Sequence, residues 1–347
     1  MKKLLFILFL LFHSVAFCGE YLDVTENTNV SLPADLYYKK DYRVQWWYFT
    51  GHLFDTGGRE FGYELTFFAV NVQKRKYISQ FGVNRIYITH FAISDIHGKR
   101  FYFSDKADAG AYGFAGAEDE YLRVWIDNNV LEQQEGIFHI RASDREKTVN
   151  LRLIPGKPVV LNGDNGYSRK SEESALIASL YFSYTNLRTE GNLTIGDNVF
   201  RVKGKSWFDR EISSRGLGQQ KTGWDWFAIQ LDDNREIMLY IIRNRDGSVD
   251  RFSSGTFVHR DGSYKYLTKD DFSLTVSDHY SSKKTGARYP SRWEIRIPSE
   301  DIILRITPLM EDQEILAYSS TGNHYWEGAC IVEGSARGRA YVEMTGY

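Results

Sequence analysis

Apolar and polar positions alternate along most of the chain with a period of two, the spacing of a β-strand that buries one face. The pattern predicts strands over Val44–Asp55, Gly62–Val72, Arg85–Asp95, Ile137–Ala142, Val149–Pro155, Ile237–Arg243, Trp293–Pro298 and Asp301–Pro308. Between them stand turn formers: Thr56-Gly57-Gly58, His97-Gly98, Asp246-Gly247 and Asp261-Gly262. Gly, Asn and Asp there supply the backbone conformations that tight hairpins need. No stripe at helical spacing is sustained, and short helices are expected only over Asp119–Val124 and Ser171–Ser179. Short strands joined by hairpins predict an all-β chain of antiparallel barrels or sandwiches.

The pattern also repeats, in register and in the same order. "WWYFTGHLFDTGGRE" aligns with "WDWFAIQLDDNRE", which matches Trp46 to Trp224, Tyr48 to Trp226, Phe49 to Phe227 and Leu53 to Leu231. "AISDIHGKRFYFSD", "FHIRASDREKTVNLRLIP" and "EGNLTIGDNVFRVKGKSWFD" find counterparts in "TFVHRDGSYKYLTK", "WEIRIPSEDIILRITP" and "EGSARGRAYVEMTG". Two diverged copies of one barrel-like unit are expected, over 30–215 and 223–347, joined by a linker at Ser214–Thr222.

Composition narrows the function. A chain of 347 residues exceeds one usual hydrophobic core, and its 15% aromatic content excludes disorder. A net charge of −2 without a basic run argues against a nucleic-acid partner. Lys2 and Lys3 precede the apolar run Leu4–Phe12, which is too short to span a bilayer. Residues 1–18 therefore read as an export signal, and a periplasmic or secreted protein is expected. Phe17 argues against a lipid anchor on Cys18, because a small residue is needed there. Without the leader, Cys330 is the one cysteine left, so no disulfide framework is expected, and Cys330 reads as a small buried apolar residue.

Candidate chemistry starts from "KGKSWFDREISS". In a strand, Trp207, Asp209 and Glu211 share one face, while Phe208, Arg210 and Ile212 share the other. Two carboxylates beside a Trp suit acid–base work: a buried carboxyl holds its proton and gives it to an alkene or a leaving group, and its neighbour activates water. The alternative is that Asp209, Arg210 and Glu211 form ion pairs at the seam between barrels. Trp46, Trp47, Tyr48, Trp207, Trp224 and Trp226, with His52 and Asp225, are candidates for the wall of an apolar ligand site, against plain core filling for any one ring. Glu64 stands in an apolar strand and is either an acid or the partner of Arg85, Arg169 or Arg210. His90, on one face with Ile86, Ile88 and Ala92, is either a core histidine or a proton carrier. Glu327 and Glu343 read as structural strand carboxylates. Scattered histidines, no CxxC, no phosphate loop and no GxSxG elbow predict neither a metal nor another cofactor.

Five blocks ("WWYFTGHL", "GYSRKSEESALIASLYFSYTNLRTEG", "SWFDREISS", "GWDWFAIQLDDNREIMLY" and "YWEGACIVEGSARGRAYVEMTGY") resemble the lipocalin-like AttH/carotenoid 1,2-hydratase (hydroxyneurosporene synthase) superfamily. The branch they resemble is that of exported proteins labelled predicted secreted hydrolases. The resemblance covers roughly residues 30 to 347 and implies two tandem lipocalin-like β-barrels. It also implies hydratases acting on carotenoid double bonds and fungal relatives acting on terpenoid or polyketide substrates. Where the carotenoid hydratases carry His and Trp in the region matching "FDREI", this chain has Arg210 and Ile212, and Gln45 stands where many relatives have an acid. Three functions are then expected. The first is an exported protein holding a hydrophobic or amphipathic small molecule in a barrel or between barrels. The second is a cofactor-free hydratase- or hydrolase-type enzyme using Asp209, Glu211, Glu64 or His90. The third is an accessory part of a lipid or export transporter at a membrane.

Overall fold

The computed structural model describes residues 21–72 and 83–347. The expected export signal over residues 1–18, with Cys18, lies outside the described residues. The first half folds into β1 (Val44–Asp55), β2 (Glu60–Asn71), β3 (Arg85–Asp95), β4 (Arg100–Asp108), β5 (Ala115–Ala117), β6 (Arg123–Ile126), β7 (Asn129–Gln134), β8 (Ile137–Asp144), β9 (Lys147–Pro155), β10 (Val160–Leu161), β11 (Tyr167–Arg169), β12 (Ala178–Ile195) and β13 (Asn198–Ser213). They make one sheet in the order β4-β3-β2-β1-β13-β12-β9-β8-β7-β6-β5, with β10 and β11 paired to β12. The second half gives β14 (Lys221–Leu231), β15 (Glu236–Asn244), β16 (Ser254–Val258), β17 (Tyr264–Leu267), β18 (Ser273–Ser281), β19 (Arg288–Ile297), β20 (Ile302–Pro308), β21 (Glu314–Ala317), β22 (Asn323–Gly334) and β23 (Gly338–Thr345). Their order is β17-β16-β15-β14-β23-β22-β20-β19-β18, with β21 paired to β22.

The described residues contain no α-helix, which corrects both expected helices. Arg123 and Val124 belong to β6, and Ser171–Ile177 is a turn that feeds the long strand β12. The first sheet curls until its far strands meet. Asn129 Nδ2 donates to Thr89 Oγ1 at 3.0 Å, and Lys106 Nζ reaches Asp127 at 2.9 Å and Asn128 at 2.7 Å.

Strand parity decides what each face does. Trp47, Phe49 and Leu53 of β1 point into the first barrel with Phe67, Phe138 and Phe208, and Phe49 stacks on Phe208 with centroids 4.4 Å apart. Phe227, Trp293, Ile295, Leu304 and Trp326 fill the second sheet in the same way. Packed apolar side chains occupy both interiors. The other parity of β1, namely Trp46, Tyr48, Thr50 and His52, faces the second unit.

There, Tyr48, Tyr181 and Trp207 pack on Trp226, Met238, Tyr240, Ala329 and Tyr341. The approach is close enough that a Cβ on Gly62 would lie 2.7 Å from Ala329 Cβ. Polar fasteners surround this apolar patch. Arg339 grips both oxygens of Glu60 at 2.6 and 3.0 Å. Lys157 crosses from the first unit to Glu236 (2.6 Å) and to the carbonyls of Asn234 (2.6 Å) and His259 (2.7 Å). A buried ammonium with three acceptors is fully compensated, which is the condition for burying it without a large penalty.

Candidate active site

The seam between the sheets collects carboxylates. On β13, Trp207, Asp209 and Glu211 lie opposite Thr50, Tyr48 and Trp46 of β1. On the other side of β13, Asp209 pairs with Ser183 and Glu211 with Tyr181 of β12. The second unit repeats the device: on β23, Tyr341 and Glu343 lie opposite Ala228 and Trp226 of β14 and opposite Ala329 and Glu327 of β22. Glu64 joins from β2, opposite Thr50. Thus Glu64, Asp209, Glu327 and Glu343 approach one seam from four strands.

Asp209 is 3% exposed. Its Oδ1 accepts from Trp207 Nε1 (2.6 Å) and Ser183 Oγ (2.5 Å), and its Oδ2 accepts from Tyr181 Oη (2.6 Å). Trp226 Nε1 donates in turn to Tyr181 Oη at 3.0 Å. Burial pushes the Asp209 carboxyl up to about 7, with the three donors pulling the other way and the charge of Glu211 adding to the rise. Burial likewise pushes Glu343 up to about 7; its donor is Trp224 Nε1 at 3.2 Å, and Glu211 and Asp209 repel it.

Glu64 and Glu327 are both 0% exposed. Tyr48 Oη donates to Glu327 Oε1 at 2.6 Å, and Thr66 Oγ1 donates to Glu64 Oε1. The second oxygen of each, Oε2, is buried with no hydrogen-bond partner among the described residues. Burial raises both carboxyls well above their ordinary range, and nearby Glu343 raises each further. Burial thus favours the protonated forms of Glu64 and Glu327, beside two acids close to their midpoint near neutral pH. Toward the rim, Glu211 is paired with Lys170 at 3.1 Å and with Ser179. The Lys170 ammonium lies over the rings of Tyr240 (4.3 Å) and Tyr181 (4.9 Å). Burial works against its charge, but Glu211, Tyr240 and Asp209 together outweigh that and hold it above the usual lysine range.

Several expected site residues lie elsewhere. Arg210 faces away from the seam: it stacks on Trp47 at 4.0 Å and donates to the carbonyls of Asp35 (3.0 Å) and Tyr37 (2.8 Å) and to Gln45 Oε1 (2.8 Å). It pins the N-terminal segment to the first barrel, which corrects both its assignment to the reaction and its assignment to an ion-pair seam. Trp47 is a core ring whose Nε1 donates to the Leu36 carbonyl at 2.7 Å, not part of a ligand wall. Asp225 faces away from the seam, on the parity of β14 that carries Phe227 and Ile229 into the second barrel, and it is held by Arg243 and by Tyr347 Oη at 3.0 Å. Glu64 has none of its three expected arginine partners, since Arg85 stacks on Tyr38, Arg169 on Phe252 and Arg210 on Trp47. His52 joins the units through Glu60 and the Ala340 carbonyl, both at 3.0 Å, at the edge of the patch. His90 sits between Tyr325 (2.6 Å) and Ser320 (3.0 Å). Trp46 and Trp224, paired in the repeat, are half-buried at the rim.

The sequence reading missed Tyr181, Tyr325 and Lys170, and it gave Glu327 and Glu343 only a structural role. Glu343 was findable, because it follows Tyr341 as Asp209 follows Trp207 in the aligned closing strands. Two surface clefts, of about 230 and 390 Å3, lie at the rim of the first barrel and beside the N-terminal segment, away from these carboxylates. Burial and specific neighbours perturb the pKa values at the seam, which makes it the candidate site. Among the described residues no three His, Cys, Asp or Glu side chains are grouped to hold a metal ion.

Comparison with known proteins agrees with this architecture. A family model described as AttH-like matches residues 23–347. The crystal structure of an AttH protein from Nitrosomonas europaea superposes with a TM-score of 0.87 and 30% identity, over 94% of this chain and 99% of that one. Kievitone hydratase from Nectria haematococca shares the fold at a TM-score of 0.72 and 14% identity, over 94% and 97%. In sequence, the chain is 22% identical over 256 residues to the dehydratase asqC of Emericella nidulans, covering 70% of this chain and 68% of that protein.

Proposed function

The chain belongs to the AttH-like family, and on that premise we propose that the seam between its sheets is an acid–base site of hydratase or dehydratase type that needs no cofactor. One observation carries the reading: the buried Oε2 atoms of Glu64 and Glu327, without a partner among the described residues, belong to the same seam as Asp209, which lies opposite Tyr48, the donor to Glu327, and whose carboxyl is poised near 7. A proton donor and a proton acceptor in one dry site are what addition or loss of water requires.

In hydration, a protonated glutamate gives its proton to one alkene carbon. Water bonds to the other carbon, and Asp209 takes the proton that the water sheds. Dehydration runs the same steps backwards. The rings of Trp207 and Trp226, with Trp46 and Trp224 at the rim, offer apolar faces to the substrate and favour an apolar or amphipathic one, of isoprenoid or polyketide type. The hydratase and the dehydratase among the similar proteins support this reaction class. The positive, apolar leader over residues 1–18 supports the further proposal that the protein works outside the cytoplasm.

The test is incubation with a panel of isoprenoid and polyketide alkenes and alcohols in isotopically labelled water. Wild type should incorporate one labelled oxygen or lose one water. Asp209→Asn and Glu327→Gln should lose that turnover while keeping their fold by circular dichroism. Undiminished turnover in both variants would remove these residues from the mechanism.

A further inference from the structure

His90 lies on β3, opposite Asp105 of β4 and Thr66 of β2. Its ring is 1% exposed and packs against Phe68, Phe103 and Tyr325, with centroids 5.2, 5.5 and 5.8 Å away. Three hydrogen bonds run through it in one sense. Ser320 Oγ donates to Asp105 Oδ2 at 2.6 Å. With that proton committed, His90 Nε2 is the donor to Ser320 Oγ, at 3.0 Å. A neutral ring then accepts at Nδ1 from Tyr325 Oη, at 2.6 Å. Burial keeps the ring neutral by pulling its pKa down to about 3.

The two ends of this series differ. Asp105 is only half-buried, whereas Tyr325 stands on β22 two residues from Glu327. Thr66, which lies opposite His90 on β2, donates to Glu64 Oε1 and so sets Glu64 toward this inner end. Both glutamates carry a buried oxygen with no partner among the described residues.

We propose that Tyr325, His90, Ser320 and Asp105 form a proton relay between the buried acid Glu64 and the solvent edge. The proposal rests on the acid–base reading of the seam. It supplies what that reading leaves open, because an acid that has given up its proton must regain one through a site closed to bulk water. Every member gives one proton and takes one. Outward, the Tyr325 oxygen takes a proton from the Glu64 end as the phenol proton moves to Nδ1, the Nε2 proton to Ser320 and the serine proton to Asp105. Inward, the order reverses. The ring changes tautomer and never becomes a cation, which avoids the large cost of an uncompensated charge in this apolar pocket. Two members come from each unit, so the relay exists only when the units are docked.

The test needs no substrate. The full chain is mixed into heavy water, and the carboxylic-acid C=O stretch of Glu64, identified by its loss in Glu64→Gln, is followed as it deuterates. Tyr325→Phe keeps the ring and removes the hydroxyl, and Ser320→Ala cuts the outer link. Each should slow deuteration about a hundredfold, the low end of what a positioned proton-transfer group contributes. Backbone amide exchange and the unfolding midpoint should stay as in wild type, which separates a lost relay from a loosened fold. Equal deuteration rates in wild type and both variants overturn the relay alone. If Glu64→Gln removes no carboxylic-acid band, the acid–base reading fails first and the relay with it.

Discussion

The closing strands of the two sheets, β13 and β23, place an aromatic ring and a carboxylate at matching register positions and then solvate the carboxylate differently. Asp209 receives three donors, because β12 sets Ser183 and Tyr181 beside it and Trp207 turns its Nε1 back on it. Among the described residues Glu343 receives Trp224 alone, because the strand that corresponds to β12 is β22, which brings another acid, Glu327, into the opposing place. Both carboxyls arrive at about 7, Asp209 against strong hydrogen bonding and Glu343 with little of it. A shared pKa can thus come from unlike surroundings, and the surroundings determine what each residue does to stability.

Acidity should show the largest effect. Raising Asp209 from 3.8 to about 7 corresponds to something on the order of 4 kcal/mol. The folded state keeps a proton that the unfolded chain releases, so this stability is fully present below about pH 4 and is lost as pH rises through about 7. Glu343 acts in the same sense. Urea unfolding across that range should show stability falling with rising pH, and Asp209→Asn and Glu343→Gln should each flatten the slope. An unchanged slope in both would mean that neither acid titrates there.

Alanine substitution separates the pair next. Asp209→Ala strands three buried donors and should cost about 3 kcal/mol near pH 6. Glu343→Ala strands one half-buried indole and relieves a crowded charge, so it should cost less than about 1 kcal/mol. Equal losses in urea midpoints would erase the contrast between the two walls.

A smaller effect sharpens it. Tyr48→Phe removes the donor to Glu327 and should cost about 1 kcal/mol. In a Glu327→Ala background the same change should cost almost nothing, and a double-mutant cycle reads that coupling directly.

Much of the fold is legible in the sequence because period-two alternation and Gly-containing turns are local signals. β1 and β3 follow their predicted bounds, and the turn at Asp246-Gly247 has the glycine at φ 84. The site is less legible. Parity separates Asp209 from Arg210 and Trp46 from Trp47, yet it does not say which face meets a barrel core and which meets a neighbour. That choice is made by the docking of strands far apart in the chain, such as β2 against β22. Glu64 showed through because an ionisable residue inside an apolar strand is costly. Glu327, inside "YWEGAC", carried the same signal and was passed over. Tyr181 and Tyr325 gave no signal, since a tyrosine in a strand is ordinary until its hydroxyl meets an acid.

The repeated closing strand has a consequence for how such a molecule diversifies. A single unit docking on its own copy through this face would be bound by symmetry: any substitution would strike both walls at once. Two copies on one chain are released from that rule. One wall can gather hydroxyls around its acid while the other trades them for a second acid, and the asymmetry needed to give a proton on one side and take it on the other arises without a new fold.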